Sequence, residues 1–197
     1  MMITTVVLYS GITLAAVIWA ALDGRWNVFV LRGWEPARGA LGACAGVGVG
    51  LCVVALSRGS VRVFGWARRL HEEFHSLMRG LTDGQAFVLA AASAIGEEAL
   101  FRGAMVPTLG IWLSSALFAL AHAPVRRALW PWPLMAFAMG LAFAWLFQRF
   151  GDLSGPILAH GVINFLNLRH IARFSFSEEL PLPLAEDHSP GEDLPEG

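Results

Sequence analysis

The chain has 197 residues, of which 56% are hydrophobic, 15% are charged and 21 are glycine. Apolar residues and glycine far exceed the ~45–50% of an ordinary soluble domain, and charge falls well short of the usual ~25%. A soluble globule could not cover its surface with so few polar groups. The same composition excludes a disordered chain, and the lack of a basic excess excludes a nucleic-acid partner. The formal charge of −1 hides a division: residues 1–177 hold all 14 arginines and a net of +6, and residues 178–197 a net of −7. Lysine is absent throughout. These figures describe an all-α polytopic membrane protein, a helix bundle in a lipid bilayer, with an acidic tail.

A membrane helix needs ~20 mostly apolar residues to cross a ~30 Å hydrocarbon core. In chain order the candidates are 2–22, 39–57, 85–106, a short one at 107–124, 130–147 and 153–168. The first lacks a basic leader and a small-residue cleavage site, so it reads as a retained span rather than a signal peptide. Gly42, Gly46 and Gly50 recur every four residues in the second, which lets a neighbouring helix approach closely. Cys44 and Cys52 lie about 12 Å apart along that helix axis and cannot pair. Between the second and third spans, residues 60–80 place Val63, Trp66, Ala67, Leu70, Phe74, Leu77 and Met78 on one helical face. Arg62, Arg68, Arg69, Glu72, Glu73 and Arg79 fall opposite, with His71 and His75 at the border. This pattern predicts an amphipathic helix in the membrane interface. The expected organisation is therefore two N-terminal spans at 1–58, an interfacial helix at 59–83, a core at 84–170 and a flexible acidic tail at 171–197.

Arginine placement predicts the orientation. Alternate connections put nine arginines, in 58–83, 123–129 and the stretch after 168, on one side and four on the other. By the positive-inside rule both termini then face the cytoplasm, in a bacterial cytoplasmic membrane.

Residues His71-Glu72-Glu73-Phe74-His75 match the HExxH pattern, in which two histidines hold zinc and the glutamate activates water. The context argues against that reading. The segment is amphipathic, Glu72 is expected to face water, and no third ligand follows at a recognisable distance.

Charges inside a span are costly, and each marks a candidate functional site. The third span carries Gly96-Glu97-Glu98-Ala99-Leu100-Phe101-Arg102. Glu98 and Arg102, at i and i+4, are in the favourable order for a helical ion pair. Glu97 is rotated 100° from Glu98 and its own i+4 residue is Phe101, so one carboxylate is expected to be left free as a base for deprotonating water. The fourth span ends Phe118-Ala119-Leu120-Ala121-His122, and the sixth holds His160-Gly161-Val162-Ile163-Asn164. In hydrocarbon these polar groups must find each other or water, so Glu97, His122, His160 and Asn164 are expected to line one cavity.

These three motifs, EExxxR, FxxxH and HxxxN in that order, resemble the CPBP intramembrane proteases, which include the type II CAAX prenyl endopeptidases and the bacterial Abi proteins. Residues 151–159 also look like the lead-in to that family's third motif. The resemblance covers about 84–168; the two N-terminal spans and the tail carry no matching motif. It implies an intramembrane endopeptidase in which Glu97 activates water held by His122. It further implies that His160 and Asn164 stabilise the oxyanion and that Glu98 and Arg102 support the site. The implied substrate is a membrane-anchored protein, cut near its C-terminus; a branch similar to the myxosortases, which remove C-terminal anchors, is compatible with it. The metal-independent reading, with no cofactor, is preferred because a glutamate cannot easily serve as both ligand and base. The alternative is a zinc enzyme with Glu97, His122 and His160 as ligands. Two non-protease readings are a membrane immunity or scaffold protein, which could dispense with Glu97 or His160, and a proton-coupled transporter, which should show two related halves.

Overall fold

The computed structural model describes residues 2–33, 35–124 and 129–175. The acidic tail expected after residue 171 thus lies almost wholly outside the described residues. Seven α-helices follow one another: α1 (Met2–Leu22), α2 (Pro36–Val63), α3 (Gly65–Met78), α4 (Asp83–Glu98), α5 (Val106–Ala121), α6 (Pro131–Phe150) and α7 (Ser154–Arg173). A π-helical segment, Ala99–Met105, joins α4 to α5. The described residues contain no strand, and a single bridge pairs Val30 with Asp152.

The helix ends follow local chemistry. α4 begins with a capping box in which Thr82 Oγ1 accepts from the Gln85 N–H and the Gln85 side chain accepts from the Thr82 N–H. These bonds satisfy donors that the first turn leaves unpaired. α2 and α6 start at Pro36 and Pro131, whose missing N–H is not needed there. α6 stops at Gly151, whose φ of 84° only glycine adopts without strain.

The molecule is a helical membrane bundle. Large apolar side chains such as Ile3, Leu14, Leu41, Leu56, Trp112, Leu134 and Trp145 face outward, whereas the interior holds many small residues, a few large ones such as Phe143, Leu146 and Phe147, and the polar Glu98, Arg102 and His160. Among the described residues four stretches are long and apolar enough to cross a membrane: α1, α2, the run Asp83–Ala121 and α6. The expected third and fourth spans are both within the run Asp83–Ala121, and the break between them falls at Gly110 (φ 80°, ψ 169°) rather than at Pro107. Past this kink the chain doubles back, and Ser114 Oγ donates to Phe101 O in the π-helical segment.

The glycine stripe of α2 serves packing, as its spacing predicts. A Cβ on Gly46 would collide with the Gly155 carbonyl oxygen of α7, and one on Gly50 would lie 3.0 Å from Ala159 O. Backbone meets backbone here, so no rotamer change can relieve a clash. Gly46→Ala is expected to destabilise the protein by about 1–3 kcal/mol, the range for overpacking. Gly48→Ala, at a position with nothing within 4 Å, serves as the control. Thermal unfolding of the two variants in detergent checks this: equal midpoints would contradict the packing role. Cys44 and Cys52 are free and exposed on the same helix.

The histidines of α3 are buried rather than at the border of its two faces. Ring nitrogens of His75 and His71 lie 2.6 and 2.7 Å from the carbonyl oxygens of Ile171 and Phe174 at the end of α7. Those carbonyls belong to a helix C-terminus, where they lack intrahelical partners. Glu72 does not simply face water either, because its Oε2 accepts from Ser175 Oγ at 2.9 Å. The HExxH pattern therefore ties α3 to the end of α7. Glu72→Ala is expected to leave catalysis unchanged, and abolished activity in that variant would restore the zinc reading of this motif.

Candidate active site

α4 delivers Glu97 and Glu98 in its last turn, and the π-helical segment delivers Arg102. Single π turns inside α-helices recur at functional sites, where the wider backbone re-aims side chains. Here Val106 N–H bonds to Phe101 O, the i to i+5 pattern. Gly103, in the same segment, presses on the backbone of Val28, and Arg25 donates to the carbonyls of Gly103 and Ala104.

Glu98 and Arg102 form the expected ion pair, with Nη1 to Oε1 at 2.9 Å and side chains 0% and 1% exposed. The guanidinium carbon lies 4.2 Å from the centre of the Phe118 ring and 5.2 Å from that of Phe143. Aromatic faces are negative, so they favour a desolvated cation between them. Glu98 Oε1 is also 2.7 Å from His160 Nδ1. A carboxylate already paired with arginine can only accept, so His160 carries its proton on Nδ1 and turns Nε2 towards the cavity.

Phe118 has a second task. Its carbonyl oxygen accepts from His122 Nδ1 at 2.8 Å, and its ring lies 4.4 Å from the imidazole. His122 therefore also presents Nε2 without a proton in its neutral form. One phenylalanine thus covers the arginine and fixes the histidine.

The two Nε2 atoms converge on Glu97 Oε2, at 3.7 Å from His122 and 3.9 Å from His160. Both distances are too long for direct hydrogen bonds. Glu97 Oε2 is buried and has no hydrogen-bond partner among the described residues. The other oxygen, Oε1, accepts from Tyr9 OH of α1 at 2.9 Å. Glu97 is therefore not wholly free, as its own helix suggested; its partner comes from another helix. Asn164, one turn beyond His160, donates through Nδ2 to Ser93 Oγ at 3.0 Å.

Glu97, His122, His160 and Asn164 all line one cavity of ≈ 400 Å³, while Glu98 and Arg102 sit behind it. Its remaining wall is mostly apolar, with Trp66, Leu70 and Phe74 from α3 and Met135 and Met139 from α6. The apolar face of α3 thus closes part of a cavity. Sequence reasoning missed Tyr9, Ser93, Phe143, whose ring stacks on His160 at 5.6 Å, and Trp132, which meets His122 edge-on at 5.1 Å. Tyr9 left a weak signal, as the single tyrosine of the chain. The others are ordinary residues whose relevance only the fold reveals. Among the described residues no group of three or more His, Cys, Asp or Glu is arranged to hold a metal ion.

Residues 83–166, from α4 to most of α7, match the family model of the type II CAAX prenyl endopeptidase Rce1-like proteins. The match contains all three motifs and shows the resemblance they carry. Over 98 residues the chain is 31% identical to the uncharacterized protein YpbD of Bacillus subtilis (strain 168), an alignment covering 44% of this chain and 48% of that one. The chain thus spans about half the length of this curated relative. No solved structure matches the chain.

Proposed function

We propose that this integral membrane protein is an intramembrane endopeptidase that hydrolyses a peptide bond of a membrane-anchored protein, near its C-terminus, with Glu97 as the base. The observation that carries this reading is the buried Glu97 Oε2, which lacks a donor and faces two imidazole nitrogens across gaps that a single water spans.

Each group then has a role set by its protons. A water between Glu97 Oε2 and His122 Nε2 donates one hydrogen to each and turns its lone pairs towards a carbonyl carbon in the cavity. Glu97 takes the proton as the water oxygen bonds to that carbon, which becomes tetrahedral. The oxyanion accepts from the second N–H of the Asn164 amide and from His160 Nε2. Because Nδ1–H of His160 is committed to Glu98, Nε2 donates only from the imidazolium. Collapse of the intermediate breaks the C–N bond, and the proton on Glu97 passes to the leaving amine. Glu98 and Arg102 hold His160 and do not touch substrate.

The apolar wall of the cavity suits a lipid or hydrophobic segment beside the scissile bond. Arginine asymmetry supports both termini lying in the cytoplasm, and hence entry from that side. The test is cleavage of membrane-anchored peptides by purified protein in lipid bilayers, with and without a chelator, and with product masses measured. Cleavage that survives removal of all metal is expected. Absence of cleavage across lipid-anchored and helix-anchored peptides would contradict the peptidase reading. Stoichiometric zinc lost together with activity would replace the metal-free mechanism by the zinc one.

A further inference from the structure

The base of the proposed reaction is held from outside the segment that resembles known proteases. Tyr9 lies in the middle of α1, far from residues 83–166. Its hydroxyl donates to Glu97 Oε1 at 2.9 Å, and its side chain lines the same cavity as His122, His160 and Asn164. The two oxygens of Glu97 are thereby made unequal. Oε1 is tied to α1, whereas Oε2 is left without a donor between the two Nε2 atoms. A glutamate has three side-chain torsions, and an untethered one would sample several rotamers in a cavity of this size.

The backbone is built for this contact. Gly96 immediately precedes Glu97, and a Cβ there would lie 3.0 Å from both Cδ1 and the carbonyl oxygen of Tyr9. A side chain at 96 would push this turn of α1 away by a few tenths of an ångström and strain the reach of the phenol to the carboxylate. Thr13 Oγ1 donates to that same Tyr9 carbonyl at 2.8 Å, which holds the turn of α1 that carries the phenol.

We infer that Tyr9 is the positioning residue for Glu97: its hydroxyl fixes one carboxylate oxygen so that the other is presented to the attacking water. α1 is thus part of the active site. The inference rests on the proposed role of Glu97 as base, and its test separates the two.

Tyr9→Phe removes the hydroxyl and keeps the ring. It is expected to lower kcat about 10- to 100-fold, the scale for a misplaced reacting group, with KM unchanged because the ring still fills its place. Gly96→Ala, which crowds Tyr9 but leaves both functional groups in the chain, is expected to show the same kcat loss. A second readout does not depend on turnover. Because Tyr9 is the single tyrosine, the tyrosine doublet in resonance Raman spectra of the full-length protein reports the hydrogen bonding of this phenol alone. A strong-donor signature is expected, and it should weaken in Glu97→Gln. An unchanged doublet in Glu97→Gln would overturn the inference. So would full kcat in Tyr9→Phe alongside an inactive Glu97→Gln, an outcome that spares the role of Glu97. Full activity in Glu97→Gln would overturn both.

Discussion

Replacing Arg102 by methionine is expected to cost about 3–5 kcal/mol of stability, the range for removing one partner of a buried ion pair. The reason is local. Glu98 is fully buried, and Arg102 Nη1 is its cationic partner at 2.9 Å. Without the guanidinium, a carboxylate remains in an apolar interior with His160 Nδ1 as its hydrogen-bond partner among the described residues. The loss extends beyond the pair, because Phe118 and Phe143 pack against the guanidinium and also touch His122 and His160. Thermal unfolding in detergent measures the effect. The double variant Glu98→Gln with Arg102→Met should recover part of the loss, since glutamine removes the stranded charge and keeps an acceptor for His160. An Arg102→Met protein as stable as the parent would show that the pair is not what holds this end of α4.

The fold was legible wherever one helix could be read by itself. The apolar lengths of α1, α2 and α6 mark them as spans, and the stripe of Gly42, Gly46 and Gly50 announces a close neighbour. Which neighbour it meets was not legible, because α7 lies more than a hundred residues away in sequence. Nor was the break after α4. Two prolines, Pro107 and Pro124, bracket the fourth apolar segment and suggest a boundary at the first. However, proline is tolerated in the first turn of a helix. The reversal falls instead at Gly110, where positive φ is available without strain.

The site was legible to the same depth. Polar groups stranded in apolar helices must converge, and Glu97, His122, His160 and Asn164 do share a cavity. The pairing of Glu98 with Arg102 follows from spacing within one helix. Contacts between helices do not follow from spacing. Thus Glu97 has Phe101 and no polar partner at its own i+4 position, yet Tyr9 reaches it from α1. The histidines of α3 were ambiguous for a related reason. A helical projection assigns a residue to a face, but it cannot show that the C-terminal carbonyls of α7 lie against that face. The π-helical turn at Ala99–Met105 had no sequence signal, since it depends on a one-residue shift in hydrogen bonding rather than on composition.

The largest expected effect belongs to Glu97. Glu97→Gln keeps the size of the side chain and an acceptor for Tyr9, so α1 and α4 should stay packed and the unfolding midpoint should stay near that of the parent. What it removes is the ability of Oε2 to take a proton from water, a general-base contribution of about 10²- to 10⁴-fold. The decisive measurement is the single-turnover cleavage rate of a membrane-anchored peptide by parent and Glu97→Gln proteins in the same bilayers. A fall of at least about 10²-fold in a fully folded variant is the predicted result. Cleavage at the parental rate would contradict the assignment of Glu97 as the base.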